Sequence, residues 1–446
     1  MSEADEQKPV AVPRRDAEGN RAGKAGPTRP TAEPLIWTER MLATLAKGVT
    51  GGKWYSLIDK LYPIATLRAA FQAVATNQGA AGVDHISIEH YAANLEANLA
   101  RLSEALRTGT YRPQAIRRHY IPKPGSQERR PLGIPTIQDR VVQTALRMVL
   151  EPIFERDFAA QSYGFRPGMG CKQALRRVDE LLKAGYVHVV DADLKSYFDT
   201  IPKDRLLVNV GQKVSDGRIL ALVQSFLEQS VMEGAQEWVP EQGTPQGAVI
   251  SPLLSNIYLD PLDHLMAGQG FEMVRYADDF VVLCRSSQDA AAALAVVRKW
   301  TAAAGLTLHP VKTRLVDART DGFDFLGYHF EAGQKRPREK SLTKFKDTVR
   351  AKTKRTVGRS LDMVISTLNP TLRGWFEYFK HSHRWTFGTL DGWIRRRLRS
   401  LLRKQQKRKG MAGVRGEDQR RWPNAFFADH GLFSLQRAYE TVRQSS

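Results

Sequence analysis

An α+β fold is what this sequence predicts, on three observations. Residues 34–110 place apolar side chains at helical three- and four-residue spacing. The middle of the chain holds short β-favouring runs, the clearest lying on either side of Ala277-Asp278-Asp279. From Leu342 the pattern turns helical again and strongly basic. At 446 residues the chain exceeds one compact core, so two or three domains are expected.

The first 33 residues are polar and rich in Pro, Gly and charge, without an apolar signal core. They read as a disordered leader with no secretion signal. Helical periodicity follows over residues 37–45, 53–61 and 63–74, with a turn at 79–84. It resumes over 88–106, where Tyr91, Leu95, Leu99, Leu102 and Leu106 share one face. Residues 117–135 read as a basic hairpin around Pro124-Gly125, with Lys123 and Arg130 on opposite arms, able to converge on a phosphate-rich ligand or simply to face solvent. An amphipathic helix is expected over 139–154.

Ser162-Tyr163-Gly164-Phe165-Arg166-Pro167-Gly168 is a turn-rich loop in which Arg166 is placed for a backbone phosphate, and a helix over 172–184 comes next. The stretch from Tyr186 reads as a strand ending in acid, with Asp191 and Asp193 on the same side by the two-residue period. Asp199 reads as a cap or turn residue. Glycines at 243 and 247 flank Gln246 and allow a close backbone approach to a flat ligand. Residues 287–304 form an Ala-rich helix, and 306–316 and 322–328 read as strands.

Adjacent carboxylates at a tight turn repel one another unless a cation neutralises them, and hard oxygen ligands suit Mg²⁺. The alternative is an ordinary polar turn. Cys171 and Cys284 stand alone, far apart, which excludes a disulfide framework or a structural zinc site. No apolar run reaches membrane-spanning length. The net charge of +20 has a lopsided origin: residues 335–410 contain 23 Lys plus Arg against 5 Asp plus Glu. So dense a basic block calls for a polyanion, best a nucleic acid. Its aromatic residues either stack on RNA or pack a helical core, and core packing is expected for Trp375 and Phe379.

These stretches, in this order, resemble the bacterial group II intron-encoded reverse transcriptases, which also act as maturases. The resemblance runs from about Trp37 to the end and rests on blocks at 79–84, 121–135, 162–168, 193–199, 243–256, 276–279, 308–313 and 325–328, with 369–375 and 390–398 similar to the family's thumb. It implies a right-hand polymerase with fingers, an antiparallel-sheet palm and an α-helical thumb or maturase domain. The implied boundaries are 34–185 for N-terminal extension and fingers, 186–333 for the palm, 334–410 for the thumb and 411–446 for a short tail, a possible DNA-binding remnant. The implied activity is RNA-directed DNA polymerase, copying intron RNA for retrohoming and assisting splicing. A domesticated enzyme in repair or immunity, or an RNA-binding splicing cofactor, are the alternatives.

Carried over by motif position, Asp193, Asp278 and Asp279 match the catalytic metal-binding triad. The five-residue step from Asp193 to Phe198 selects Asp193 over Asp191. Two Mg²⁺ ions are the implied cofactor. Phe198 matches the steric gate against a ribose 2′-hydroxyl, a role compatible with core packing. Lys123 and Arg130 match the triphosphate-binding positions, and Gln246 lies beside the nucleotide pocket. RNA contacts are expected from Arg166, Lys312, Arg373, Arg395, Arg396 and Arg397. The implied partners are group II intron RNA, an RNA template with DNA primer, dNTPs and target DNA, in a bacterial cytoplasm and away from membranes. After Thr386 the sequence holds one His, His430, and no Cys, so the ending resembles that of endonuclease-lacking members.

Overall fold

A computed structural model describes residues 36–48, 52–122, 129–356, 358–406 and 417–444. It comprises two compact units that divide after Leu315.

In the first unit, helices Glu39–Lys47 and Ile64–Asn77 match the periodic stretches, but the one expected over 53–61 is confined to Ile58–Leu61, because Trp54 bridges to Val214. The helix expected over 88–106 is broken in two, Ile88–Ala93 and Leu95–Thr108. Asn94 interrupts it by leaving the helical region, with φ −122° and ψ 35°. Helix Ile137–Glu155 is the axis of this unit's core. Thr136 caps it by accepting from the Asp139 amide, and Val141, Val142, Ala145, Leu146, Val149 and Leu150 are wholly buried. A cap of this kind is worth about 1 kcal/mol, and each large apolar side chain fully buried contributes about 1.5–3 kcal/mol.

The strands of this unit are β1 (Ile116–Pro122), β2 (Arg129–Ile134), β3 (His188–Asp193), β4 (Val231–Glu233), β5 (Gln236–Trp238), β6 (Glu272–Tyr276), β7 (Asp279–Cys284) and β8 (Arg314–Asp317), the unit boundary falling inside β8. One sheet has the order β2-β1-β4-β5, and its hairpin sets Ile121 opposite Arg130. The other has the order β6-β7-β3-β8. Its central strand β7 buries Phe280, Val281, Val282 and Leu283 in succession. An unbroken apolar run bounded by turn residues is the pattern of a strand covered on both faces. Helices Cys171–Lys183, Ser251–Gly268 and Ser287–Ala303 pack on this sheet.

The second unit begins with a three-stranded antiparallel sheet, β9 (Phe323–Phe325), β10 (Tyr328–Glu331) and β11 (Gln334–Pro337). Residues 316–333, expected with the palm, therefore group with the helices that follow. Tyr328 explains why. Its ring lies 5.0 Å from Phe379 and 5.9 Å from Tyr378, and its hydroxyl donates to the Tyr378 carbonyl at 2.6 Å. Helices Glu339–Lys352, Leu361–Phe379 and Trp385–Gln405 form the body of the unit. Trp375 stacks on Phe345 at 4.5 Å and lies tilted against Phe379 at 4.8 Å, so these rings pack the core as expected. The last described residues, 417–444, are part of the same body and not a separate tail. Trp422, Phe427 and Leu435 enter its core, and buried Asp391 accepts from the Ser434 hydroxyl and the Leu435 and Gln436 amides. Among the described residues no helix is long and apolar enough to cross a membrane.

Candidate active site

Asp279 is the first residue of β7 and pairs with Tyr276, so the turn consists of Ala277 and Asp278 alone. Asp279 was expected within the turn, and the ladder claims it instead. Ala277 has φ +61°, a left-handed conformation that ordinarily selects glycine. Something must hold it there.

Buried Arg275 is that support. Its guanidinium donates to both carboxylate oxygens of Asp263, to Asn256 Oδ1 at 3.0 Å and to the Ala277 carbonyl at 2.9 Å. Arg275 and Asp263 are both fully shielded from solvent. Asn256 in turn donates to the Gly164 carbonyl at 2.8 Å. The loop around Gly164 lies directly on the turn, with the Tyr163 amide donating to the Arg275 carbonyl and the Arg275 amide to Gln161. A Cβ at Gly164 would stand 2.2 Å from the Ala277 nitrogen, so only glycine fits. Gly164 and Asn256 lie in blocks that the sequence singles out, but no such bracing role was expected of them, nor of Asp263 and Arg275. Their signal was there: a charge inside the apolar run of β6, and two polar residues seven apart on one face of an apolar helix.

Asp193 ends β3 directly opposite Asp279 in the β3–β7 ladder. The segment after Gly305 runs beside it, with the Lys195 amide donating to Thr307 and the His309 amide to the Asp193 carbonyl. That brings the Lys312 ammonium to 2.7 Å from Asp193 Oδ2. Lys312, expected on RNA, thus belongs to the acidic site, where it offsets a carboxylate. Asp191 is taken by Arg314 at 3.1 Å, which leaves Asp193 as the strand's contribution to the site.

Burial pushes the half-buried Asp278 carboxyl above the ordinary range and the nearby Asp193 charge adds to the shift, opposed by the backbone and by Arg130 and Arg275. The carboxylates therefore sense one another, as hard ligands around a shared divalent cation do. Among the described residues no three acidic, His or Cys side chains form a ready-made metal cage. Asp193 and Asp278 repel one another and a positive charge is drawn to Asp193, a setting that fits carboxylates able to hold a divalent cation.

Backbone contacts join Phe198 to Thr244 and Gln246 to Gly133. Phe198 is half-buried, and its carbonyl accepts from the Thr244 amide at 2.7 Å. Gly243 and Gly247, with φ +89° and +105°, let this loop press on other backbone. A Cβ on Gly243 would meet the Phe198 oxygen at 2.6 Å, and one on Gly247 the Gly133 oxygen at 2.4 Å. The glycines thus serve close protein packing. Gln246 accordingly sits between the hairpin and Phe198, donating to Asp199 at 3.2 Å. Arg130 is exposed on β2, its charge felt by both Asp199 and Asp278. Lys123 lies outside the described residues.

The arginines expected on RNA separate into two sets. Arg166 is corrected: its side chain is 6% exposed and bonds Glu155 and the Ala159 and Ser162 carbonyls, so it props the Gly164 loop. Arg397 donates to Thr353 Oγ1 at 2.8 Å and lies over Trp393, while Arg395 faces Asp391 at 3.8 Å. Burial, with Arg350 and Arg355 nearby, lowers the Arg397 pKa. Arg373 and Arg396 are exposed.

A family model described as "Reverse transcriptase (RNA-dependent DNA polymerase)" matches residues 121–330, and one described as "Group II intron, maturase-specific domain" matches 342–422. The group II intron-encoded protein LtrA of Lactococcus lactis is 37% identical over 196 residues, covering 44% of this chain and 32% of that protein. Protein YkfC of Escherichia coli is 36% identical over 234 residues, covering 51% of this chain and 61% of that protein. The chain thus spans about one-third and three-fifths of these relatives. Among solved structures, a partial Cas6-RT-Cas1–Cas2 complex is similar at TM-score 0.36 and 23% identity, covering 56% of this chain and 42% of that chain.

Proposed function

We propose that this chain, which matches the reverse transcriptase model over 121–330 and the group II intron maturase model over 342–422, copies intron RNA into DNA and binds the same RNA to assist splicing. The observation that carries the polymerase reading is the pairing of Asp193 with Asp279 across the β3–β7 ladder, beside a braced turn that presents Asp278. In this reading two Mg²⁺ ions held by Asp193 and Asp278, with Asp279 in a weaker role, would lower the pKa of a primer 3′-hydroxyl and stabilise charge on the leaving pyrophosphate. Arg130 and Lys123 offset charge on the incoming triphosphate. Gln246 adjoins the nucleotide pocket, and Phe198 bars a 2′-hydroxyl. The substrates are dNTPs and a primed RNA template, and target DNA is the acceptor in retrohoming.

Primer extension with purified protein, Mg²⁺, dNTPs and a primed RNA tests this reading. DNA product is expected, and its absence refutes the reading. Replacing Phe198 by Ala is expected to raise ribonucleotide over deoxyribonucleotide incorporation about tenfold or more, the scale of a lost steric contact in a pocket. An unchanged ratio of the two kcat/KM values would leave Phe198 as packing only.

The maturase reading rests on the basic second unit and its exposed arginines. Arg373→Gln with Arg396→Gln is expected to weaken intron-RNA binding. It should also lower the slope of log K against log salt by about 0.7–0.9 for each phosphate contact removed. Filter binding over a salt series measures both, and an identical slope rejects these two residues as contacts.

A further inference from the structure

The Ser162–Pro167 loop contains a feature that the polymerase reading does not use. Phe165 is a bulky non-glycine residue at φ +62°, and the residue is 38% exposed. A left-handed backbone is costly for such a side chain and persists only where its surroundings enforce it. Here they do so from both sides. Gly164 is wedged on the Ala277 backbone, and the Arg166 guanidinium ties the loop to Glu155, Ala159 and Ser162. Core packing gives no reason for the strain, because the residue stays partly in solvent. Its position gives one. The Phe165 ring meets Phe198 edge-on, with centroids 6.4 Å apart and planes at 71°, and lies 6.5 Å from Tyr276 beside the acidic turn. Tyr197 packs on Phe198 as well, at 5.4 Å, but it is fully buried and anchored by its hydroxyl to the Ser255 carbonyl. Phe165 is therefore the solvent-side wall of the Phe198 ring.

We propose that Phe165 is a specificity-determining residue that acts through Phe198: it holds the Phe198 ring in the orientation that excludes a ribose 2′-hydroxyl. The inference rests on the reading of Phe198 as the sugar screen. Without its wall the ring gains rotamer freedom and yields to the extra oxygen. An edge-to-face contact of this kind corresponds to about a three- to tenfold change in discrimination.

The test compares kcat/KM for dNTP and rNTP incorporation on a primed RNA by the full chain. The variants are Phe165→Ala, Phe165→Gly, Phe165→Tyr, Phe198→Ala and the Phe165→Ala/Phe198→Ala pair. Glycine accepts the positive φ, so Phe165→Gly keeps the test valid if the alanine variant does not fold. Phe165→Ala and Phe165→Gly are expected to raise the rNTP/dNTP ratio about three- to tenfold. Tyrosine should restore it, and the double variant should not exceed Phe198→Ala alone. If Phe198→Ala relaxes the ratio while both Phe165 variants leave it unchanged, Phe165 is a structural residue and the proposal is wrong. An additive double variant also rejects it, since the two rings would then act separately. If Phe198→Ala itself leaves the ratio unchanged, the sugar-screen reading fails and takes this proposal with it.

Discussion

Changing Asp278 and Asp279 together to alanine is expected to remove cDNA synthesis while leaving intron-RNA binding in place. The acids terminate a hairpin whose partner strand ends in Asp193, so the double change strips the site of all but one carboxylate. Metal-assisted charge stabilisation is worth several kcal/mol, which corresponds to a rate loss of about 10³-fold or more. The fold should tolerate the change. Asp278 is a carboxyl whose ionisation is opposed by burial and by Asp193, so its removal relieves repulsion. Primer extension and intron-RNA filter binding on the same preparation separate the two activities. Residual synthesis within tenfold of the parent chain would show that the chemistry lies elsewhere, and loss of RNA binding would show that the two activities share this site.

Arg275→Met should have the largest effect on stability of any single change in the first unit. It leaves Asp263 fully buried without its cation, and removing one member of a buried pair costs about 3–5 kcal/mol. It also frees the Ala277 carbonyl and one face of Asn256, each an additional unsatisfied group. Arg275→Lys should recover only part of the loss, because an ammonium cannot serve Asp263, Asn256 and Ala277 in the planar geometry of a guanidinium. Urea unfolding of the full chain, followed by a signal from the first unit, measures the cost. The double change Arg275→Met with Asp263→Leu should be less destabilising than Arg275→Met alone, since it removes the stranded charge. A cost below about 1 kcal/mol for Arg275→Met, the value of an exposed pair, would mean that the network is not what holds the turn.

Local pattern made much of this molecule legible. The hairpin of β6 and β7, the strand ending in Asp193, the capped helix Ile137–Glu155 and the basic helices after Glu339 each announce themselves within a few residues, because hydrophobic period and turn chemistry are properties of neighbours in the chain. The acidic residues stood out for the same reason, as did the concentration of positive charge. What remained hidden depends on residues far apart in sequence. Lys312 looks like a free cation in the chain, yet it pairs with Asp193 from 119 positions away. Arg166 is a local exception, bound to Glu155, Ala159 and Ser162 just before it. Glycines 243 and 247 suggest ligand access, but the oxygens they meet belong to Phe198 and Gly133. Residues 316–333 read with the palm, and nothing in that stretch announces that Tyr328 packs against Tyr378 and Phe379.

The chain order therefore dictated most helices, the acidic hairpin and the carboxylates, since each follows from side-chain period and backbone preference over short windows, whereas the strands expected over 306–316 and 322–328 are confined to Arg314–Asp317 and split into Phe323–Phe325 and Tyr328–Glu331. Only the folded molecule decided which charges are spent internally and which face solvent. It also decided how Ala277 is kept at a positive φ and why Phe165 is held against Phe198. Burial and pairing are set by what arrives from the rest of the chain, and no short window contains that information.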